Sequence, residues 1–186
     1  EKKFDRIVSV GMFEHVGVQH YGEFFAKINA LLDDDGLMVL HSIGKMSPPG
    51  TASPWLRKYI FPGAYSPALS EVFTAVEQNS LWVTDCEFLR LHYAKTLAHW
   101  ESRFQANRAK VAEMYDERFC RMWEFYLISA EMMFRTGSQL VFHMQLSRKR
   151  DAAPILRGYE RPSAPTEVRA YRARHLVQDI AALIAV

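Results

Sequence analysis

The stretch FDRIVSVGMFEHVG, residues 4–17, decides the start of the fold. Its first half, Phe4 to Val10, is rich in β-branched and apolar residues and predicts a buried strand. A glutamate and a histidine, Glu14 and His15, follow this strand between two glycines. Open α/β sheets bind ligands beyond the carboxyl ends of their strands, so these polar side chains occupy a candidate ligand site.

The sequence after this stretch completes a strand–helix–strand unit. HYGEFFAKINALL, residues 20–32, places apolar side chains at helical spacing and predicts a helix. DDDG should end that helix, with Gly36 in a left-handed turn. LMVLHSI, residues 37–43, then predicts a second apolar strand. Because such units join parallel strands, the chain is expected to have an α/β fold.

The segment from Gly44 to Pro67 contains five of the eight prolines, so it is expected to lack regular structure. Loops of this length are usually lids or binding segments. Trp55, Tyr59 and Phe61 make this loop apolar, which would suit a lipid-like ligand.

The remaining sequence predicts two further strands and three helices. A short helix is expected within residues 66–80 and a strand within residues 81–91. A long helical region, residues 94–134, should break near Asn107 or Asp116, and a final strand should run from Gln139 to Leu146. Residues 1–150 are therefore assigned to one domain, and residues 151–186 to a basic linker with a terminal helix.

Composition narrows the class of protein. The two cysteines and the absence of Cys-x-x-Cys or His-Glu-x-x-His motifs predict that there is no metal site. No apolar run approaches the ~20 residues that span a bilayer, and no signal peptide begins the chain, so a cytoplasmic location is expected. Basic residues outnumber acidic ones in residues 146–186, which could contact anionic phospholipid headgroups. No motif supports nucleic-acid binding.

Five motifs carry a family resemblance: FDRIVSVGMFEHVG, LMVLHSIG, PWLRKYIFPGA, HYAKTLAHW and ERFCRMWEFYL. In order and spacing they resemble cyclopropane-fatty-acyl-phospholipid synthases and the related mycolic acid cyclopropane synthases. The resemblance implies a Rossmann-like class I methyltransferase fold that uses S-adenosylmethionine. It also implies methyl transfer to the cis double bond of an unsaturated lipid acyl chain, through a carbocation that closes to a cyclopropane ring when bicarbonate removes a proton.

The resemblance assigns roles to residues by motif. Glu14 and His41 would bind the bicarbonate ion together with the backbone of Ile43 and the hydroxyl of Tyr93. Glu14, His41 and Tyr93 would therefore be the catalytic residues. Val10 and Gly11 would contact the cofactor. The substrate or lid residues would be Trp55, Tyr59 and Phe61.

The same resemblance indicates the partners. The substrate would be the acyl chains of unsaturated phospholipids at a membrane surface, with the enzyme peripheral to the inner membrane face. No nucleic-acid partner is expected. The only protein partner expected is a second copy of the chain, in a homodimer.

One family feature is missing. None of the nine glycines forms the Gly-x-Gly cluster of the cofactor loop. The resemblance therefore implies an N-terminally truncated domain, which alone should bind the cofactor poorly, be inactive and expose unpaired strand edges.

Three alternatives stay open. A related methyltransferase could give methyl-branched or hydroxylated acyl chains from the same cation. A catalytically silent fragment could serve as a binding piece. A Rossmann oxidoreductase has only the strand–helix–strand layout in its favour.

Overall fold

The computed structural model describes residues 2–155. This range contains four strands and five helices. In chain order they are β1 (Phe4–Val10), α1 (Tyr21–Leu31), β2 (Leu32–Lys45), α2 (Pro54–Tyr59), α3 (Leu69–Gln78), β3 (Trp82–Phe88), α4 (His92–Met114), α5 (Glu117–Arg135) and β4 (Gln139–Ser147). Two short 3-10 turns, Phe13–His15 and Val18–His20, join β1 to α1. The predicted linker and terminal helix cover residues 151–186. Residues 156–186 of this segment lie outside the described residues.

The strands form one sheet in the order β1-β2-β4-β3. β1 and β2 are parallel, which confirms the predicted strand–helix–strand unit. β4 lies between β2 and β3 and is antiparallel to both. Within residues 2–155, β1 has a strand neighbour on one side only, and the side chain of Val8 on this edge strand is 51% exposed.

Two sequence-based expectations need correction in the first half of the chain. Gly36 does not end α1 in a left-handed turn, since β2 already begins at Leu32 and includes Gly36. A Cβ at Gly36 would lie 2.8 Å from the Leu32 side chain, so a larger residue there would force that side chain to shift. The proline-rich segment is not wholly irregular either, because it contains α2. Pro54 occupies the first turn of that helix, and the Ser53 hydroxyl caps it by accepting from the Leu56 N–H (3.2 Å).

The break in the long helical region lies at Asp116. Its carboxylate accepts from the N–H of Phe119 (2.6 Å) and caps α5. Asn107, the other candidate, lies inside α4. The predicted short helix, the third strand and the last strand are confirmed as α3, β3 and β4.

Two apolar cores cover the two faces of the sheet. The first packs α1 and α3 against β2 and β4, with Phe25 and Phe142 fully buried in it. The second packs α4 and α5 over the opposite face, around Leu97, Leu127 and Val141. Successive side chains of a strand alternate between the faces, so β4 contributes to both cores. Across residues 2–155, no helix combines the length and apolarity needed to cross a bilayer.

Phe25 and Phe125 form a matched pair for testing the first core. Phe25 is fully buried, whereas Phe125 is 55% exposed. Phe25→Ala is expected to lower the free energy of unfolding by about 3–5 kcal/mol, because it removes apolar contacts and leaves a cavity. Phe125→Ala should cost about 1 kcal/mol or less. Urea unfolding of both variants measures the difference, and equal losses would contradict the assignment of this core.

Candidate active site

A cavity of about 480 Å³ opens at the end of β1, beside the last residues of β2, on the sheet face that α4 covers. Its lining contains six of the residues that the sequence singles out, together with Val8, which sequence reasoning missed. The full set is Val8, Val10, Gly11, Glu14, His41, Ile43 and Tyr93. Three sequence-distant motifs therefore meet at one place.

Glu14 enters the cavity from the 3-10 turn that follows β1. Phe13, its neighbour, is fully buried and stacks on Tyr21 with ring centroids 4.2 Å apart, which fixes the turn against the first core. Oε1 of Glu14 accepts a hydrogen bond from the N–H of Ile43 (2.7 Å). Oε2 is buried and has no hydrogen-bond partner among the described residues. A buried carboxylate oxygen without a donor is a group that a ligand can satisfy.

His41 lies in β2, opposite Val10 of β1. Its Nδ1 is 2.7 Å from Nε2 of His143 on the neighbouring strand β4. Burial, and then the adjacent His143, lowers the pKa of His41 from 6.5 to about 4. The His41 ring is therefore neutral at neutral pH, and one of its two nitrogens is a hydrogen-bond acceptor.

Tyr93 reaches the cavity from the first turn of α4. Its ring packs against Phe134 (centroids 5.0 Å apart) and Trp100 (5.9 Å) in the second core. Burial, and then the nearby Glu14, raises the pKa of Tyr93 above 10. Its hydroxyl therefore keeps its proton at neutral pH and remains a hydrogen-bond donor.

Gly11 lines the cavity directly after the end of β1. Its φ of +66° lies in the left-handed region that favours glycine. Its N–H donates to the carbonyl of His41 (3.2 Å), which continues the contact between the two chain segments beyond the strand.

The three aromatic residues predicted to contact substrate do not line this cavity. Trp55 packs on Phe125 of α5 with ring centroids 4.8 Å apart, and Phe61 packs on Tyr126 at 5.7 Å. Tyr59 and Phe61 are each 40% exposed. These residues form a partly exposed aromatic surface beside α5, and their role in binding substrate stays a prediction.

The sheet and the cavity beyond its strand ends define part of a Rossmann-like methyltransferase fold. The structure of the mycolic acid cyclopropane synthase CmaA1 complexed with SAH and CTAB superposes with a TM-score of 0.71 at 32% identity. That match covers 78% of this chain and 56% of the other. The fold is thus that of the S-adenosylmethionine-dependent methyltransferases.

The family is shown by sequence. The family model described as mycolic acid cyclopropane synthetase matches residues 1–144, and the chain belongs to this family. It is 36% identical over 146 residues to cyclopropane-fatty-acyl-phospholipid synthase of Escherichia coli K12. It is also 35% identical over 153 residues to tuberculostearic acid methyltransferase UfaA1 of Mycobacterium tuberculosis.

The chain spans little more than a third of the length of these two relatives. The alignments cover 78% of this chain and 38% of the Escherichia coli protein, and 79% of this chain and 36% of the Mycobacterium tuberculosis protein.

His41 is expected to make stability depend on pH between about 6.5 and 4. In this range the unfolded chain binds a proton at His41 that the folded chain does not bind, so lowering the pH favours unfolding. The contribution of this one group to the loss is on the order of 3 kcal/mol. The measurement is urea unfolding from pH 7 to pH 4 for the wild type and His41→Gln. The difference between the two curves should shrink or invert as pH falls; parallel curves would contradict the lowered pKa.

Proposed function

We propose that the protein carrying this chain transfers the methyl group of S-adenosylmethionine to the cis double bond of an unsaturated lipid acyl chain and closes a cyclopropane ring. The observation that carries the proposal is the convergence of Glu14, His41 and Tyr93 in one cavity beside the end of β1 and the last residues of β2. The family of the chain and the name of its Escherichia coli relative, a cyclopropane-fatty-acyl-phospholipid synthase, support the lipid assignment.

The cavity walls suit a reaction that develops positive charge. When bound, the cofactor supplies an activated methyl group, and an alkene is so weak a nucleophile that the two must be held close and in line. Val8, Val10 and Ile43 give the cavity apolar walls. The ring face of Tyr93 attracts a cation. Its raised pKa keeps the phenol neutral, so it does not trap the cation as a phenolate would.

The polar groups of the cavity fit bicarbonate. The ion has one O–H to donate and oxygens that accept, while the cavity presents the unpaired Oε2 of Glu14 and the hydroxyl of Tyr93. His41 would contribute its remaining ring nitrogen. The N–H of Ile43 donates to Glu14, so in this structure Ile43 supports the site by orienting that carboxylate. Val10 and Gly11 would contact the cofactor at the end of β1.

An exposed apolar surface supports action at a membrane. Tyr59 and Phe61 are partly exposed. The Trp55 ring contacts both Tyr59 and Phe125 of α5, so Phe125 belongs to the same surface. Lys58 adds a positive charge 5.0 Å from the Tyr59 ring. Aromatic and basic residues together are typical of surfaces that contact lipid headgroups. We therefore assign the substrate as phospholipid acyl chains reached from the membrane surface, with Trp55, Tyr59 and Phe61 as substrate or lid residues.

A related reaction is the second candidate. The Mycobacterium tuberculosis relative is named a tuberculostearic acid methyltransferase, and it is nearly as similar to this chain as the cyclopropane synthase is. Addition of water to the same cation, with loss of a proton, would give a hydroxylated methyl-branched chain, and loss of a proton from a neighbouring chain carbon would give an unsaturated methyl-branched chain.

Product analysis separates these candidates. The full-length protein is expected to convert cis-unsaturated phospholipid acyl chains to cyclopropane chains, because the cavity holds proton acceptors beside apolar walls. Gas chromatography with mass spectrometry of lipids from an expressing strain distinguishes a ring from a branch or an added hydroxyl. Branched or hydroxylated chains alone would favour the second candidate. Unaltered lipids together with no binding of the cofactor would favour a silent binding piece.

Glu14→Gln tests the catalytic role of the carboxylate. The amide has nearly the same shape but carries no charge, so turnover by the full-length protein should fall by about a hundredfold. Affinity for S-adenosylmethionine, measured by calorimetry, should change little. His15→Gln is the matched control, because His15 is the exposed neighbour on the same turn and does not line the cavity. Normal turnover in Glu14→Gln would refute the role given to Glu14.

A further inference from the structure

A row of three titratable side chains crosses the sheet from the cavity to the surface. His41 on β2 lies opposite His143 on β4, and His143 lies opposite Glu87 on β3. Residues directly opposite one another in a sheet point to the same face, so all three side chains lie on the α4 and α5 side. The Nδ1 of His41 is 2.7 Å from the Nε2 of His143, and the Nδ1 of His143 is 3.7 Å from Oε2 of Glu87.

The contact between the two imidazoles holds one proton. Both facing nitrogens cannot be unprotonated at 2.7 Å, because two lone pairs would then oppose each other, and two facing N–H groups would clash. Either His41 donates from Nδ1 or His143 donates from Nε2. The choice also fixes the other nitrogen of each neutral ring, since a neutral imidazole carries one proton. His143, which does not line the cavity, thus determines whether Nε2 of His41 carries a proton.

Glu87 determines which arrangement is favoured. Its carboxylate faces Nδ1 of His143 and favours a proton on that nitrogen. Burial lowers the pKa of His143, and the nearby His92 lowers it further against the opposing effect of Glu87, so the ring is neutral at neutral pH. With its proton on Nδ1, neutral His143 can only accept at Nε2. His41 must then donate from Nδ1, which leaves Nε2 of His41 without a proton.

We infer that His143, oriented by Glu87, is a positioning residue that holds the proton of His41 on Nδ1 and makes Nε2 of His41 a proton acceptor for the cavity. His41 lines the cavity, and its Nδ1 already faces His143, so Nε2 is the nitrogen left for a ligand.

Nε2 of His41 would be a second proton acceptor in the proposed reaction, beside Glu14. This consequence rests on the proposed function. Methyl transfer to an alkene with ring closure releases one proton for each ring formed. The cavity then offers two acceptors, Oε2 of Glu14 and Nε2 of His41. Without a proton on Nε2, His41 can accept either the released proton or a hydrogen bond from the O–H of a bicarbonate ion. His143 accepts from the Nδ1–H of His41 and so orients the ring, as the carboxylate orients the histidine of a Ser-His-Asp triad.

Long-range proton–nitrogen NMR correlation on the ¹⁵N-labelled full-length protein at neutral pH reads the proton position directly. We expect His41 to be protonated on Nδ1 and not on Nε2, and His143 to be protonated on Nδ1. In His143→Leu, which removes the acceptor, His41 should shift to the Nε2-protonated form that free neutral imidazole side chains prefer. In His143→Gln, the side-chain carbonyl can accept from Nδ1 and should preserve the wild-type form. A proton on Nε2 of His41 in the wild type would overturn the inference.

Glu87→Gln is a second variant that tests the proton position of His143 even if His143→Leu fails to fold. The Glu87 side chain is 55% exposed, so its replacement by an isosteric amide should leave the sheet intact. We expect the variant to lose part of the Nδ1 protonation of His143. Glu113→Gln, at an exposed position on α4, is the matched control and should leave both imidazoles unchanged. Identical His143 spectra in Glu87→Gln and the wild type would overturn the role of Glu87.

Kinetics separate this inference from the proposed function. His143→Leu should lower kcat by on the order of tenfold with little change in KM for the lipid, and His143→Gln should recover most of it. If the wild type shows the expected proton positions but does not methylate lipids, the proposed function fails while the assignment of the proton stands. If the wild type is active and His41 carries its proton on Nε2, the inference fails alone.

Discussion

The parallel pairing of β1 with β2 is the constraint on which the site depends. It places Val10 opposite His41 and brings the carboxyl ends of both strands to one edge of the sheet. The turn after β1 can then send Glu14 across to the N–H of Ile43. A slip of one residue in this register would move His41 to the opposite face, into the core under α1 and α3. Packing on two faces therefore holds the register that the chemistry requires.

The site is kept polar at a cost in stability. A buried acceptor without a donor costs about 1–3 kcal/mol, and Oε2 of Glu14 is such an acceptor among the described residues. The apolar cover supplied by α4 and α5 lowers the local dielectric, which strengthens the electrostatic interactions inside the cavity. The same burial keeps His41 neutral and Tyr93 protonated. One physical condition, exclusion of water, thus sets the protonation of both side chains.

The sequence predicted most of the residues that line the cavity, but not Val8 or the helix α2. Motif resemblance selected Glu14, His41, Ile43 and Tyr93, and all four line one cavity. Val8 was not selected, because an apolar residue inside a predicted strand has no feature that marks it as exposed at an edge. The helix α2 was missed because its proline reads as a breaker, although proline is well tolerated in a first helical turn.

Local pattern by itself determined the strand–helix–strand unit, the break at Asp116 as one of two candidates, and the family. These follow from periodicity, capping residues and motifs, and each of these signals involves residues that are close together in the sequence. Only the tertiary structure decided that β4 enters between β2 and β3 and aligns His143 with His41 and Glu87. Those three residues are far apart in sequence, and their contact depends on strand order and register. These arise from long-range pairing and packing, which no short stretch of the chain encodes.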